Sequence, residues 1–287
     1  MDIRIKHQKF KDVKSILLLT FIIVSIQTII FFLPTNIKSH FVLNTKNPTI
    51  ISIYLNHFTH FSLNHFLSNL SYFLIIMFLF SILSIKVKNR NKIPKLLLSA
   101  IILAPILISG SILSIYYTFS AFRVLEIRDK LLGFSGMLSF LYGMFLVLAS
   151  KHILKISTRN SAMFIFSVLS IYLVAYFFNF ENIYPQTIKL ILIILVAISI
   201  YLIFNSVRSL KKIVKIKRKE EIIFLSLLPI IILFLFIPQF PLNLIYENSL
   251  VGIHIHAAGL FFGIFWPYII EKLEFINSNF NKKLILA

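Results

Sequence analysis

Gly133-Phe134-Ser135-Gly136-Met137-Leu138-Ser139-Phe140-Leu141-Tyr142-Gly143 is the stretch on which the reading of this chain turns. It lies in an apolar segment, 132–150, of about the length that crosses a bilayer as a helix, which takes roughly 20 residues. Ser135, Ser139 and Gly143 recur every four residues and form one stripe. Small residues at that spacing let membrane helices approach closely. A second stretch, His256-Ala257-Ala258-Gly259-Leu260-Phe261-Phe262-Gly263, sets His256, Gly259 and Gly263 on a shared face. A third, His65-Phe66-Leu67-Ser68-Asn69, puts His65 and Asn69 at i and i+4, again on one face. A hydroxyl, an imidazole and two hydrogen-bond donors are the components of nucleophilic acyl transfer. Each stripe alone also has a plain packing reading, but polar groups inside apolar segments are costly and usually functional.

Outward from these stretches the chain is apolar almost throughout. Of its 287 residues, 58% are hydrophobic and 14% charged, and the mean hydropathy of +0.90 is far above that of a soluble domain. Eight apolar segments lie near 15–34, 65–85, 96–118, 132–150, 161–179, 188–207, 222–238 and 250–270. The expectation is an all-α polytopic transmembrane helix bundle forming a single membrane domain over 1–287, with no polar region left for a second domain. The first segment has no small-residue cleavage site after it and is closed by Pro34, so it reads as a retained helix.

Charge sets the orientation. Of the 29 Lys/Arg residues, 23 fall in 1–14, 86–95, 151–160, 208–221 and 271–287. The alternate connections hold Lys38, Lys46, Arg123, Arg128, Lys130 and Lys189. That bias predicts a cell-membrane protein with both termini cytoplasmic. Segments two, four and eight then run in the same direction. His65, Asn69, Ser135 and His256 all fall near the outer ends of those segments. The long outer connection, 35–64, carries His40, Pro48, His57 and His60 and is expected to be partly structured. The net charge of +19 is explained by this topology, and no nucleic-acid partner is expected. The basic segment 208–221 reads as a topology anchor beside anionic lipid.

Other chemistries fit less well. Cysteine is absent, which excludes disulfides, thiol catalysis and cysteine metal sites. No H-E-x-x-H occurs and no carboxylate lies in the apolar segments near the histidines, so neither metal nor other cofactor is expected. Ser135 does not sit in the G-x-S-x-G elbow of soluble hydrolases, because residue 137 is Met. His254 points away from the His256 stripe and reads as structural. A solute transporter is disfavoured by the lack of paired intramembrane carboxylates or an inverted repeat.

These residues resemble the rhomboid family of intramembrane serine proteases. His60-Phe61-Ser62-Leu63-Asn64-His65-Phe66-Leu67-Ser68-Asn69 is similar to the family motif of the first outer loop and second core helix. Gly133-Phe134-Ser135-Gly136 resembles its G-x-S-G nucleophile motif, and His256 to Gly263 its H-x-x-G-x-x-x-G motif. The three come in the family's order and cover segments one to four and eight. The resemblance implies Ser135 as nucleophile and His256 as base. It implies His65, Asn69 and the Ser135 amide as the oxyanion hole, and His60, Gly133, Gly136, Gly259 and Gly263 as supporting residues. The substrates implied are transmembrane segments of other proteins in the bilayer. The rhomboid-like core would be about 15–150 with 250–270, and 161–238 would hold two additional helices. The chain departs from the family pattern at Ser139, where a tyrosine is common, at Ile51-Ser52, near a frequent Trp-Arg pair, and in those added helices. The alternative function is a catalytically inactive rhomboid-like protein that binds transmembrane helices as a chaperone or adaptor.

Overall fold

Long apolar runs fold as helices because a helix pairs its backbone groups within its own segment, with no water required. The structure, a computed structural model, describes residues 3–86, 92–121, 130–178, 197–198, 245–246, 249–250 and 253–286. Its long helices are α1 (Ile3–Phe32), α4 (Leu63–Lys86), α5 (Lys92–Ala121), α6 (Ser135–Leu154), α7 (Thr158–Phe178) and α8 (Ile253–Leu286). Four of them are long and apolar enough to cross a membrane: Lys11–Phe32, Leu63–Lys86, Lys92–Thr118 and Ser135–Ile153. The chain thus has the make-up of a helical membrane protein. The fifth and eighth apolar segments are helical as α7 and α8. The sixth and seventh, 188–207 and 222–238, and the basic segment 208–221, lie outside the described residues but for 197–198.

Helix ends differ from the hydropathy limits for physical reasons. α1 begins well before residue 15 and α8 runs well past 270, because Lys, Glu and Gln are good helix formers and only apolarity marks the end of a span. α1 stops just before Pro34, which disfavours helix in the preceding residue. α6 begins at Ser135, not 132, because Gly133 adopts φ +114°, a backbone state that ends any helix before it.

The 33–62 segment is built, not slack. It holds α2 (Thr35–Ser39), strand β1 (Leu43–Asn44), α3 (Ile50–Leu55) and a 3-10 turn over Asn56–Phe58. A reciprocal capping box between Thr49 and Ser52 starts α3. β1 pairs antiparallel with β2 (Lys130–Leu131), Leu43 opposite Leu131, so the segment is tied to the chain just ahead of α6. A second small antiparallel strand pair, β3 (Ile245–Tyr246) with β4 (Ser249–Leu250), precedes α8.

Two compact units emerge: residues 1–145 with 231–263, and residues 146–230 with 264–287. In the first, α1 packs chiefly against α4, with Phe31 stacked on Phe66 at 4.5 Å between ring centroids. Phe134, immediately before α6, meets Phe73 of α4 edge-on at 5.3 Å and Phe58 of the 3-10 turn at 5.7 Å. Residues 136–145 of α6 are buried all round, which marks this stretch as the centre of the unit. In the second unit, Lys151 of α6 pairs with Glu271 of α8, and the Thr158 hydroxyl bridges both.

Candidate functional site

The site is assembled entirely within the first unit, and the 33–62 segment frames it. Pro105 interrupts α5; having no N–H, it leaves the Ile101 carbonyl without its helical donor. The Tyr54 hydroxyl supplies a donor to that carbonyl at 3.3 Å. His57 Nε2 lies 3.1 Å from the Pro105 carbonyl and 2.9 Å from Ser109 Oγ. Ser109 in turn donates to the Ile53 carbonyl at 2.9 Å, and Asn56 Nδ2 donates to the Ser52 carbonyl at 2.6 Å. The segment is therefore pinned to α5 around Pro105, where the Ile101 carbonyl lacks its helical donor. Asn56 then reaches the other way: its carbonyl accepts the Gly133 N–H at 2.9 Å. That bond and the β1–β2 pair fix the chain at the point where α6 starts.

Gly133 is needed there twice over. Its φ of +114° suits only glycine, and a Cβ would stand 3.0 Å from His65 Cε1. The His65 ring thus lies against the turn that leads into Ser135. The His60 ring meets His65 edge-on at 5.0 Å between centroids, and His60 Nε2 lies 2.9 Å from Asn69 Nδ2. His60, His65, Asn69 and Gly133 form one connected cluster. His60 is fully buried and holds its ring pKa down at about 3. The main cause is desolvation, with the neighbouring His65 and Lys38 adding to it and the Phe58 backbone opposing. His57, equally buried, is pushed down to about 4, again by desolvation. A neutral His60 with Nε2 unprotonated accepts one Asn69 amide hydrogen and leaves the second to another acceptor.

α6 and α8 carry the rest. A Cβ at Gly259 would run into the Gly136 carbonyl, lying 3.0 Å from its carbon and 3.2 Å from Ser139 Cβ. A Cβ at Gly263 would likewise strike the Phe140 backbone, 2.7 Å from the carbonyl carbon. Gly136 pairs with Gly259 and Phe140 with Gly263, so the two helices run in the same direction at backbone contact. One turn earlier, Ile255 Cγ2 would be 2.6 Å from a Cβ at Gly136. Ser135 and His256 are the residues next to that contact, one on each helix. His256 is 5% exposed and Ser135 partly exposed. Ser139, buried, donates through its hydroxyl to the Ser135 carbonyl at 3.1 Å.

Every residue expected from sequence falls in this region. His60, His65, Asn69 and Gly133 are brought into one cluster; Gly136, Gly259, Gly263 and Ser139 into one helix contact. Ser135 stands between the two groups in the chain, at the N-terminus of α6, where first-turn N–H groups lack helical acceptors. The Gly259–Ser139 approach matches the expected stripes, whereas Gly263 rests on the Phe140 backbone. Sequence reasoning did not assign roles to Lys38, Asn56, His57, Pro105 or Ser109. The proline inside an otherwise uninterrupted apolar segment was the available signal for the last four. Among the described residues no group of three or more His, Cys, Asp or Glu is arranged to hold a metal ion.

Comparison with protein-family models, with curated proteins and with solved structures finds no match to this chain.

Proposed function

We propose that this chain is an intramembrane serine protease of rhomboid type, cleaving transmembrane segments of other proteins. Ser135 Oγ attacks the scissile carbonyl carbon and passes its proton to His256. The developing oxyanion accepts hydrogen bonds from His65, from the remaining Asn69 amide hydrogen and from the Ser135 N–H, at the positive end of α6. His256 returns the proton to the leaving amine. Water then hydrolyses the acyl ester and restores Ser135. No cofactor takes part. In this reading the protein has eight spans, a rhomboid-like core plus two helices, and sits in the cell membrane with both termini cytoplasmic.

One observation carries the reading: α6 and α8 run parallel at backbone contact through Gly136 and Gly259, with Ser135 and His256 adjoining that contact. A helix pair held only for stability has no need of a hydroxyl on one side and an imidazole on the other. The test is labelling of the purified protein by a serine-reactive phosphonate, with the modified residue located by mass spectrometry. Labelling at Ser135, lost in Ser135→Ala and in His256→Ala at unchanged melting temperature, is the expected result. An unlabelled protein that still retains transmembrane helices from detergent solution would favour the inactive chaperone or adaptor.

A further inference from the structure

Lys38 is 7% exposed although it carries a charge. Its ammonium donates to the Phe31 carbonyl at 3.0 Å and to the His60 carbonyl at 3.3 Å. It also stands 5.1 Å from the Phe31 ring centroid and 5.2 Å from that of Phe61. The Phe31 carbonyl belongs to the last turn of α1, where carbonyls lack helical donors and the dipole favours a cation. Among the described residues no carboxylate pairs with Lys38. The cation is held by two backbone oxygens and two ring faces. A lysine that served topology alone would keep its head in water. This one turns inward and joins the end of α1 to the residue whose ring meets Asn69.

We propose that Lys38 is a positioning residue for the Asn69 amide. By fastening the His60 carbonyl to the end of α1, it fixes the His60 ring, and that ring orients the amide toward the mouth of the site. The inference rests on the proposed catalytic role of Asn69 but makes a structural claim of its own. The groups facing His60 are Lys38 from α2, the Phe58 backbone from the 3-10 turn, and His65, Phe66 and Asn69 from α4. Of these, only Lys38 contributes a fixed positive charge.

The experiment uses the full-length protein in nanodiscs, as wild type, Lys38→Met and Lys38→Arg. Nitrogen-15 NMR of the Asn69 side-chain amide and the His60 ring is read beside steady-state cleavage of one transmembrane substrate. Lys38→Met is expected to move the Asn69 amide resonances and to raise the pH at which the His60 ring titrates, because a nearby positive charge is gone. It should lower kcat by roughly tenfold or more at nearly constant KM, since the oxyanion exists only in the transition state. Lys38→Arg should restore both. If Lys38→Met does not fold, Lys38→Gln against Lys38→Arg carries the same comparison. A lower melting temperature with unchanged Asn69 resonances, an unchanged His60 titration and unchanged kcat would overturn the proposal and leave Lys38 a clamp for α1. A wild type with no Ser135 labelling sinks the protease reading instead, and the NMR readouts then decide the role of Lys38 alone.

Discussion

Gly259→Ala adds a single methyl group, and the structure fixes what that methyl must meet. It would lie 3.0 Å from the Gly136 carbonyl carbon and 3.2 Å from Ser139 Cβ, with the carbonyl oxygen nearer still. Carbon atoms prefer about 3.5–4.0 Å, so α8 must withdraw from α6 by about 1 Å or bend. Side-chain rearrangement alone cannot absorb the change, because the nearest obstacle is backbone. Overpacking of this kind costs about 1–3 kcal/mol. Gly110, on α5, supplies the control: a Cβ there meets nothing within 4 Å. Gly110→Ala should stabilise by about 0.5–1 kcal/mol, the helix-propensity difference alone. The same chemical change at two helical glycines should therefore differ in sign, by a gap of about 1.5–4 kcal/mol. Thermal unfolding in one detergent, on both variants beside wild type, measures it. A Gly259→Ala protein as stable as Gly110→Ala would refute the helix contact on which the site depends. If the contact also sets the catalytic geometry, phosphonate labelling of Gly259→Ala should fall by roughly a hundredfold, the usual penalty for a misplacement near 1 Å.

Three further outcomes are expected. His57 and His60 are buried neutral with ring pKa values near 4 and 3, against an unfolded value near 6.5. Below pH 6.5 the unfolded chain binds the extra protons, so stability is full above that pH and is lost as pH falls toward 4 and 3. At pH 5 the loss is about 2 kcal/mol per histidine, to be read from unfolding curves between pH 7 and 5. An unchanged midpoint would contradict their burial as neutral groups. Asn69→Ala should lower kcat by about 10²–10³ with KM little changed, measured on one transmembrane substrate; a raised KM at constant kcat would make Asn69 a substrate contact instead. Gly133→Ala should cost about 1–3 kcal/mol through its positive φ and should disturb the His65 ring resonances, while unperturbed His65 signals would deny that the ring lies on this turn.

Six of the eight expected helices and the small-residue stripes were legible because helical periodicity and bilayer length are local properties of the sequence; the sixth and seventh segments lie outside the described residues but for 197–198. His256, Gly259 and Gly263 share a face by spacing alone, and Gly259 does meet Ser139. The partner of Gly263 was not legible, because which residue faces it depends on the relative height of two helices set by the whole unit. The roles of Asn56, His57 and Ser109 were hidden for a related reason. Their bonds join residues 53 and 52 apart in the chain, and no local pattern encodes which side chain of α5 they will meet. Lys38 entered the sequence reading only as one of the six cations of the alternate connections, since a count of cations says nothing of where an ammonium points. The start of α6 at Ser135 rather than 132 was not legible either, because hydropathy does not report the positive φ that Gly133 adopts.

The bonds that complete the 33–62 segment also order events in time. The segment leaves the ribosome well before Pro105, Ser109, Leu131 and Gly133, yet its hydrogen bonds end on those residues. Until α5 is inserted, the Tyr54 hydroxyl and the His57 ring lack their partners; until the chain ahead of α6 arrives, β1 has no paired strand. The segment must wait, its polar groups in the care of water or of an insertion factor. A truncation ending inside α5 should therefore leave it open to protease, and one that extends past Gly133 should close it.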